Sequence, residues 1–79
     1  MAEPIRPARH PRIEMNPEVM AGKPVIVGTR ITVELILLKL GAGMSEAFVS
    51  DQYGVSTDDI HAAQSFAADY LHNDELIFG

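Results

Sequence analysis

Three hydroxyl residues, each directly before an apolar-periodic segment, divide the chain after residue 31 into three predicted helices. Thr32, Ser45 and Ser56 carry the short oxygen-bearing side chains that cap helix N-termini. Gly41 and Gly54 follow the first two segments, where helices commonly end. The sequence therefore predicts a mainly α fold, with helices over 33–40, 46–53 and from residue 57 to about residue 72.

The sequence before the first helix favours two short strands. Residues 12–16 alternate polar and apolar side chains, and residues 25–27 are all β-branched. A turn at 22–24 separates them. Because an isolated hairpin is marginal in water, we expect it to pack on the helices or on another copy of the chain.

The chain has 79 residues and no cysteine, so disulfides and thiolate metal sites are excluded. A chain of this size has a small core, and small domains commonly gain further stability from disulfides, metals or oligomerisation. Of these three, oligomerisation remains open. The helix over 33–40 is apolar on nearly all sides. We therefore expect a homodimer.

The first residues read as a separate arm. Pro4, Pro7 and Pro11 favour an extended, mobile segment over residues 1–11. The hairpin and the helix-turn-helix domain would then occupy 12–72, and 73–79 would form a C-terminal tail. We find no signal-peptide pattern and no apolar run long enough for a membrane span, which predicts a cytoplasmic protein.

Charge is distributed unevenly along the chain. Residues 1–30 carry a net charge of +2 and residues 31–79 carry −7, giving −5 in total. Such asymmetry indicates two surfaces with different partners. The alternative is that the two halves neutralise each other within the fold or within a dimer.

The segment 46–65 fits the spacing of a helix-turn-helix motif. Its ninth residue is Gly54, where the chain must reverse, and its fifth is the small Ser50. The inward apolar positions are Val49, Tyr53, Val55, Ile60 and Ala63. The outward face of the second motif helix would carry Thr57, Asp58, His61, Ala62 and Ser65. A helical hairpin that binds no DNA would show the same pattern.

DNA contacts by this motif would depend on residues outside the second helix. The outward face lacks the Arg, Lys, Asn and Gln side chains that usually read bases, so Thr57 and His61 are its groove-facing candidates. The candidates for phosphate contacts are the basic residues Arg6, Arg9, Arg12, Lys23 and Arg30. Alternatively, the arm is a solvated tail.

The sequence contains no clear pattern of catalytic or metal-binding residues. Asp58 and His61 are spaced to touch one metal ion, but two ligands are too few, so an exposed histidine is the simpler interpretation. No nucleophile–base–acid set can be argued. We therefore expect neither an enzyme, nor a metal site, nor a cofactor.

One stretch resembles a known family. Gly22-Lys23-Pro24-Val25-Ile26, a variable residue and then Gly28-Thr29-Arg30-Ile31, preceded by Asn16-Pro17, is similar to a small bacterial family of unknown function whose members look like VapB-type antitoxins. Thr32 stands where that family commonly has Pro. The same residues also have a structural interpretation, in which glycines permit turns and Thr29 or Arg30 form hydrogen bonds in the hairpin.

The resemblance implies a hairpin followed by a homeodomain-like three-helix unit, commonly dimeric and encoded beside a PIN-like ribonuclease toxin. The expected function is an antitoxin-like, DNA-binding regulator of a type II toxin-antitoxin system. Its acidic half and the tail residues Leu76, Ile77 and Phe78 would bind the toxin. The alternative is a dimeric protein-interaction module that binds no DNA.

Overall fold

The protein is a short antiparallel hairpin followed by three helices. The computed structural model describes the backbone of residues 4–78 and the side chains of residues 4–72. The elements are β1 (Ile13–Glu14), β2 (Val25–Ile26), α1 (Val33–Gly41), α2 (Glu46–Tyr53) and α3 (Thr57–Phe78). This confirms the predicted fold class.

The hairpin is shorter than predicted and is covered by the helices. Ile13 pairs with Ile26 in an antiparallel register. Bridges from Ile5 to Met15 and from Val25 to Thr32 widen it on either side. Because β1 packs against α3 and Ile13 is fully buried, the hairpin has the apolar cover that two strands need.

Local capping explains where the first two helices begin. The Thr32 hydroxyl accepts a hydrogen bond from the Leu35 backbone N–H at 3.0 Å. The Ser45 hydroxyl accepts one from the Phe48 N–H, also at 3.0 Å. Each satisfies a backbone donor that has no partner within the helix, so both predicted starts are confirmed.

A single core joins the hairpin to all three helices. Its fully buried side chains come from β1, α1, α2 and α3, namely Ile13, Ile36, Val49, Ile60 and Ala63, and β2 adds Ile26, which is 3% exposed. α1 contributes Val33 and Ile36 to the interior, whereas Leu38 is 65% exposed. The apolar character of α1 is therefore used only in part within one chain, and the homodimer stays a prediction.

α3 is longer than predicted. The helix continues to Phe78, past the end predicted at about residue 72. Tyr70 and Leu71 are largely exposed because the core ends near Ala67. The candidates Leu76, Ile77 and Phe78 lie in this helix, and their side chains are outside the described residues.

Candidate nucleic-acid interface

The turn between α2 and α3 has the geometry that the sequence spacing predicts. Gly54 has a left-handed backbone, with φ of 68°, and its N–H donates to the Ser50 carbonyl. The Ser50 hydroxyl donates to the Val55 carbonyl across the turn. These contacts hold the two helices in a helix-turn-helix arrangement, since a left-handed residue followed by a new cap redirects the chain.

A reciprocal pair of hydrogen bonds begins α3. The Ser56 N–H donates to the Asp59 carboxylate, and the Asp59 N–H donates to the Ser56 hydroxyl, both at 3.0 Å. Arg12 adds a third contact, from its Nη1 to Asp59 Oδ1 at 3.0 Å. The reciprocal pair is a capping box and confirms the predicted helix start after Ser56, and Arg12 ties the N-terminal segment to the first turn of α3.

The fold lowers the pKa of the Asp59 carboxyl group. Burial raises the pKa of Asp59, but the Ser56 N–H, the Arg12 guanidinium and the Ser56 hydroxyl together outweigh that effect. The native pKa therefore lies below the ordinary value of 3.8. These three donors favour the charged form, which is the form that caps the helix.

We expect acid to weaken the protein through Asp59. A lowered native pKa makes a stabilising contribution that is complete above 3.8 and is lost as pH falls through the native value. Urea unfolding from neutral pH down to about pH 3 measures this loss. The variant Asp59→Asn should show a shallower loss, whereas the control Asp51→Asn, on exposed α2 surface, should keep the wild-type profile. Equal profiles for Asp59→Asn and the wild type would contradict the prediction.

The inward and outward faces of the motif follow the predicted pattern. Val49, Val55, Ile60 and Ala63 are buried, and Tyr53 is half-buried. The side chains expected on the outward face are exposed in four cases and half-buried in one, Ala62. α3 therefore presents a solvent-facing surface that carries Thr57, Asp58, His61 and Ser65.

The N-terminal segment packs along α3. His10 is 8% exposed, and its ring meets Phe66 edge-on, with 5.5 Å between ring centroids. His10 Nε2 donates to Asp69 Oδ2 at 2.7 Å, since a carboxylate only accepts. Residues 7–11 of the predicted arm, together with Arg12, thus have a defined docking site on the helix.

Docking brings part of the predicted site together. A shallow groove of about 340 Å³ is lined by Arg9 and Arg12 from the segment, and by Asp58, His61 and Ser65 from α3. Arg9 and Arg12 therefore lie beside the outward face of the second motif helix, together with the candidate His61. Thr57 is exposed on the same helix, one residue before Asp58.

The other basic candidates lie elsewhere. Arg6 pairs with Glu14 of β1 at 3.4 Å, and Lys23 pairs with Glu34 of α1 at 2.9 Å. Arg30 is exposed and forms no ion pair with any side chain that the structure describes. None of these three lines the groove.

Carboxylates accompany the basic side chains of the groove. Arg12 lies 3.0 Å from Asp59 and 3.8 Å from Asp58, and Arg9 lies 3.8 Å from Asp69. His61 Nε2 donates to Glu46 at 3.0 Å. The groove thus combines positive and negative groups, and the charge of each arginine is largely compensated within the chain.

Sequence reasoning missed the two residues that dock the segment, His10 and Asp69. A weak signal was present, because Phe66 and Asp69 are three residues apart and so share a helix face. No local pattern connects that face to His10, which lies 59 positions from Asp69 in the sequence.

The described part of the chain shows neither a metal-binding cluster nor a membrane-spanning helix. Within it, no group of three or more His, Asp or Glu side chains is arranged to hold a metal ion. In the same residues, no helix combines the length and apolarity that crossing a membrane requires.

Comparison with known proteins places the chain in a family. No curated protein matches the sequence. The crystal structure of Rv2018 from Mycobacterium tuberculosis is similar, with a TM-score of 0.61 and 33% identity over 66% of this chain and 24% of that one. The chain thus spans about a quarter of that protein's length. Residues 13–67, more than half of the chain, match the family described as "Protein of unknown function (DUF433)". The protein is therefore a member of the DUF433 family.

Proposed function

We propose that this protein is an antitoxin-like DNA-binding regulator, related to VapB-type antitoxins, that neutralises a PIN-like ribonuclease toxin. The observation that carries the DNA-binding part is the position of Arg9 and Arg12 beside the outward face of α3. In helix-turn-helix proteins the second helix enters the major groove, and basic residues next to it contact phosphates. Here α3 is that helix, and Arg9 and Arg12 beside it supply the cations once phosphates displace their carboxylate partners.

The contacts divide into two kinds. Arg9 and Arg12 would neutralise phosphates, which contributes affinity that falls with salt. Thr57 and His61 would face the bases, with few of the side chains that discriminate strongly between them. A homodimer would raise specificity by reading two half-sites, and Leu38, exposed on α1, is apolar surface available for dimer formation.

The antitoxin part of the proposal rests on charge. Residues 31–79 carry a net charge of −7, and a ribonuclease presents a basic surface to its RNA substrate. Co-expression with the product of the adjacent gene tests this part. A stable complex with reduced ribonuclease activity is the expected result, and free, fully active nuclease would contradict it.

Fluorescence anisotropy with the DNA upstream of the protein's own gene tests the DNA-binding part. We expect tighter binding to that duplex than to a scrambled duplex, with an affinity that falls steeply between two salt concentrations. Equal, weak binding to both duplexes would indicate charge contact without sequence readout and would contradict a regulator.

Replacing Arg9 and Arg12 with alanine should weaken this binding and flatten its salt dependence. Each lost phosphate contact lowers the slope of log K against log salt by about 0.9. The control is Lys39→Ala, which removes a positive charge from α1 away from the groove. An unchanged slope in the arginine variant would remove both residues from the interface.

A second candidate is the dimeric interaction module that binds no DNA. The specific observation in its favour is that Arg6, Arg9, Arg12 and Lys23 each lie within 4.0 Å of a carboxylate. Exposed ion pairs of this kind contribute little stability, so phosphates can displace the carboxylates. With the carboxylates still nearby, however, the net positive charge that these basic side chains present to DNA is small. A dimeric mass in solution without duplex binding at low salt would favour this candidate.

A further inference from the structure

We propose that residues 7–12 form a strap, latched to α3 by His10, that shields Arg9 and Arg12 from anionic partners. The part of this inference that concerns DNA rests on the proposed function, and the latch itself does not. Unlatching would release two arginines that the docked state holds against carboxylates of α3.

The latch is a single buried side chain in an exposed stretch. Arg9, Pro11 and Arg12 are exposed on either side of His10, which is buried. The His10 ring packs edge-on against Phe66, and its Nε2 donates to Asp69. His10 is therefore the one buried residue of the strap, and its removal should open the strap locally without opening the core.

Backbone hydrogen bonds give the strap a defined shape around this residue. The His10 N–H donates to the Pro7 carbonyl at 2.9 Å, and the His10 carbonyl accepts from the Ile13 N–H at 3.0 Å. Ile13 is fully buried in β1. The strap is thus fixed at its C-terminal end by the core and in its middle by His10.

In the docked strap, carboxylates of α3 shield the guanidinium groups of Arg9 and Arg12. Asp58, Asp59 and Asp69 of α3 lie 3.0–3.8 Å from the two guanidinium groups. These carboxylates occupy the positions where phosphate oxygens would bind. Arg9 is 82% exposed and Asp58 is 75% exposed, so both pairs are weak enough to exchange with an external anion. The docked strap is therefore a reversible brake on anion binding.

The first test removes one shielding carboxylate without disturbing the latch. Asp58→Asn should tighten binding to a short labelled duplex at low salt by about 1.5- to 5-fold, the range expected for releasing one exposed ion pair. The control Asp51→Asn removes the same charge from exposed α2 surface, where Asp51 pairs with no basic side chain that the structure describes, and should change binding less.

A double-variant comparison separates release of Arg12 from simple repulsion of DNA by Asp58. In an Arg12→Ala background, Asp58→Asn should no longer tighten binding, because no arginine remains to be released. A gain of the same size in both backgrounds would overturn the shielding and identify Asp58 as a direct repulsive contact.

The second test measures the latch without DNA. Trypsin cleavage after Arg9 requires the strap to open, since the next residue, His10, is buried and latched to α3. His10→Ala should speed this cleavage about five-fold, as expected for losing one buried hydrogen bond. Cleavage after Lys39 within α1 is the internal control, because it reports general unfolding. Asp69→Asn, which keeps the size of the side chain, serves as the second latch variant. Unchanged cleavage after Arg9 in both would overturn the latch.

The two readouts separate the strap from the proposed function. Faster cleavage with tighter duplex binding in His10→Ala would support the inference. Faster cleavage with weaker duplex binding would overturn it, because the docked strap would then be the DNA-binding form. Faster cleavage without duplex binding by the wild type or any variant would overturn the proposed DNA binding and support the latch alone.

Discussion

Ile60→Ala is expected to lower the free energy of unfolding by about 2–5 kcal/mol, the range for removing a large aliphatic side chain from a core. Ile60 is fully buried on α3 and belongs to the core cluster that includes Ile13, Ile36 and Val49. The loss has two sources, the transfer free energy of three carbon atoms and the cavity that remains. Whole domains have only about 5–15 kcal/mol of stability, so a chain this small should be severely weakened.

Urea denaturation, monitored by circular dichroism, measures the free energy of unfolding of Ile60→Ala. The matched control is Leu38→Ala, because Leu38 is also an aliphatic helix residue but is 65% exposed. We expect it to change stability by no more than about 0.5 kcal/mol. A similar loss in both variants would contradict the assignment of the core, and a large loss in Leu38→Ala alone would indicate that α1 is covered by a second copy.

Gly54→Ala is expected to cost about 1–2 kcal/mol, since a side chain at a left-handed backbone position brings Cβ too close to the following carbonyl. Gly54 has φ of 68° at the turn between α2 and α3. A Cβ there would meet no other atom within 4 Å, so the cost comes from the backbone and not from packing. The same substitution should reduce duplex binding if α3 is the recognition helix, because the turn sets its angle to α2.

The control for Gly54 is Gly41→Ala. Gly41 lies in the last turn of α1, and a Cβ there also has open space around it. Because its backbone has no positive φ, alanine should be accepted and should raise stability by about 0.4–1 kcal/mol through the unfolded state. Opposite signs for the two variants are the expected result in thermal or urea unfolding, and equal losses would refute the backbone explanation.

The helix starts could be predicted because their causes are local. Thr32 and Ser45 each bond to a backbone N–H three residues ahead, and Gly54 ends α2 through its own conformation. The predicted end of α3, at about residue 72, is wrong for a related reason. Asn73 and Asp74 follow it, but inside a helix such residues cost only about 0.7 kcal/mol relative to alanine, and no Gly or Pro interrupts residues 57–78.

Three of the candidates from the sequence, Arg9, Arg12 and His61, line the groove, but the sequence did not indicate how they are arranged. Thr57 and His61 follow from helix periodicity alone, and Arg9 and Arg12 follow from charge. What the spacing did not indicate is that the acidic residues of α3 would lie against those arginines. Arg12 and Asp59 are 47 positions apart in the sequence, so only the packing of the N-terminal segment on α3 brings them together.

The sequence by itself determined the number of helices, the helix-turn-helix spacing and the faces that α2 and α3 turn inward. Those features depend on capping bonds, on glycine backbone freedom and on apolar periodicity, all of which act within a few residues. The tertiary structure alone decided where residues 7–12 dock and which carboxylates face Arg9 and Arg12. Docking depends on His10 meeting Phe66 and Asp69, and residues so distant in the chain lie close together because the core packs β1 against α3.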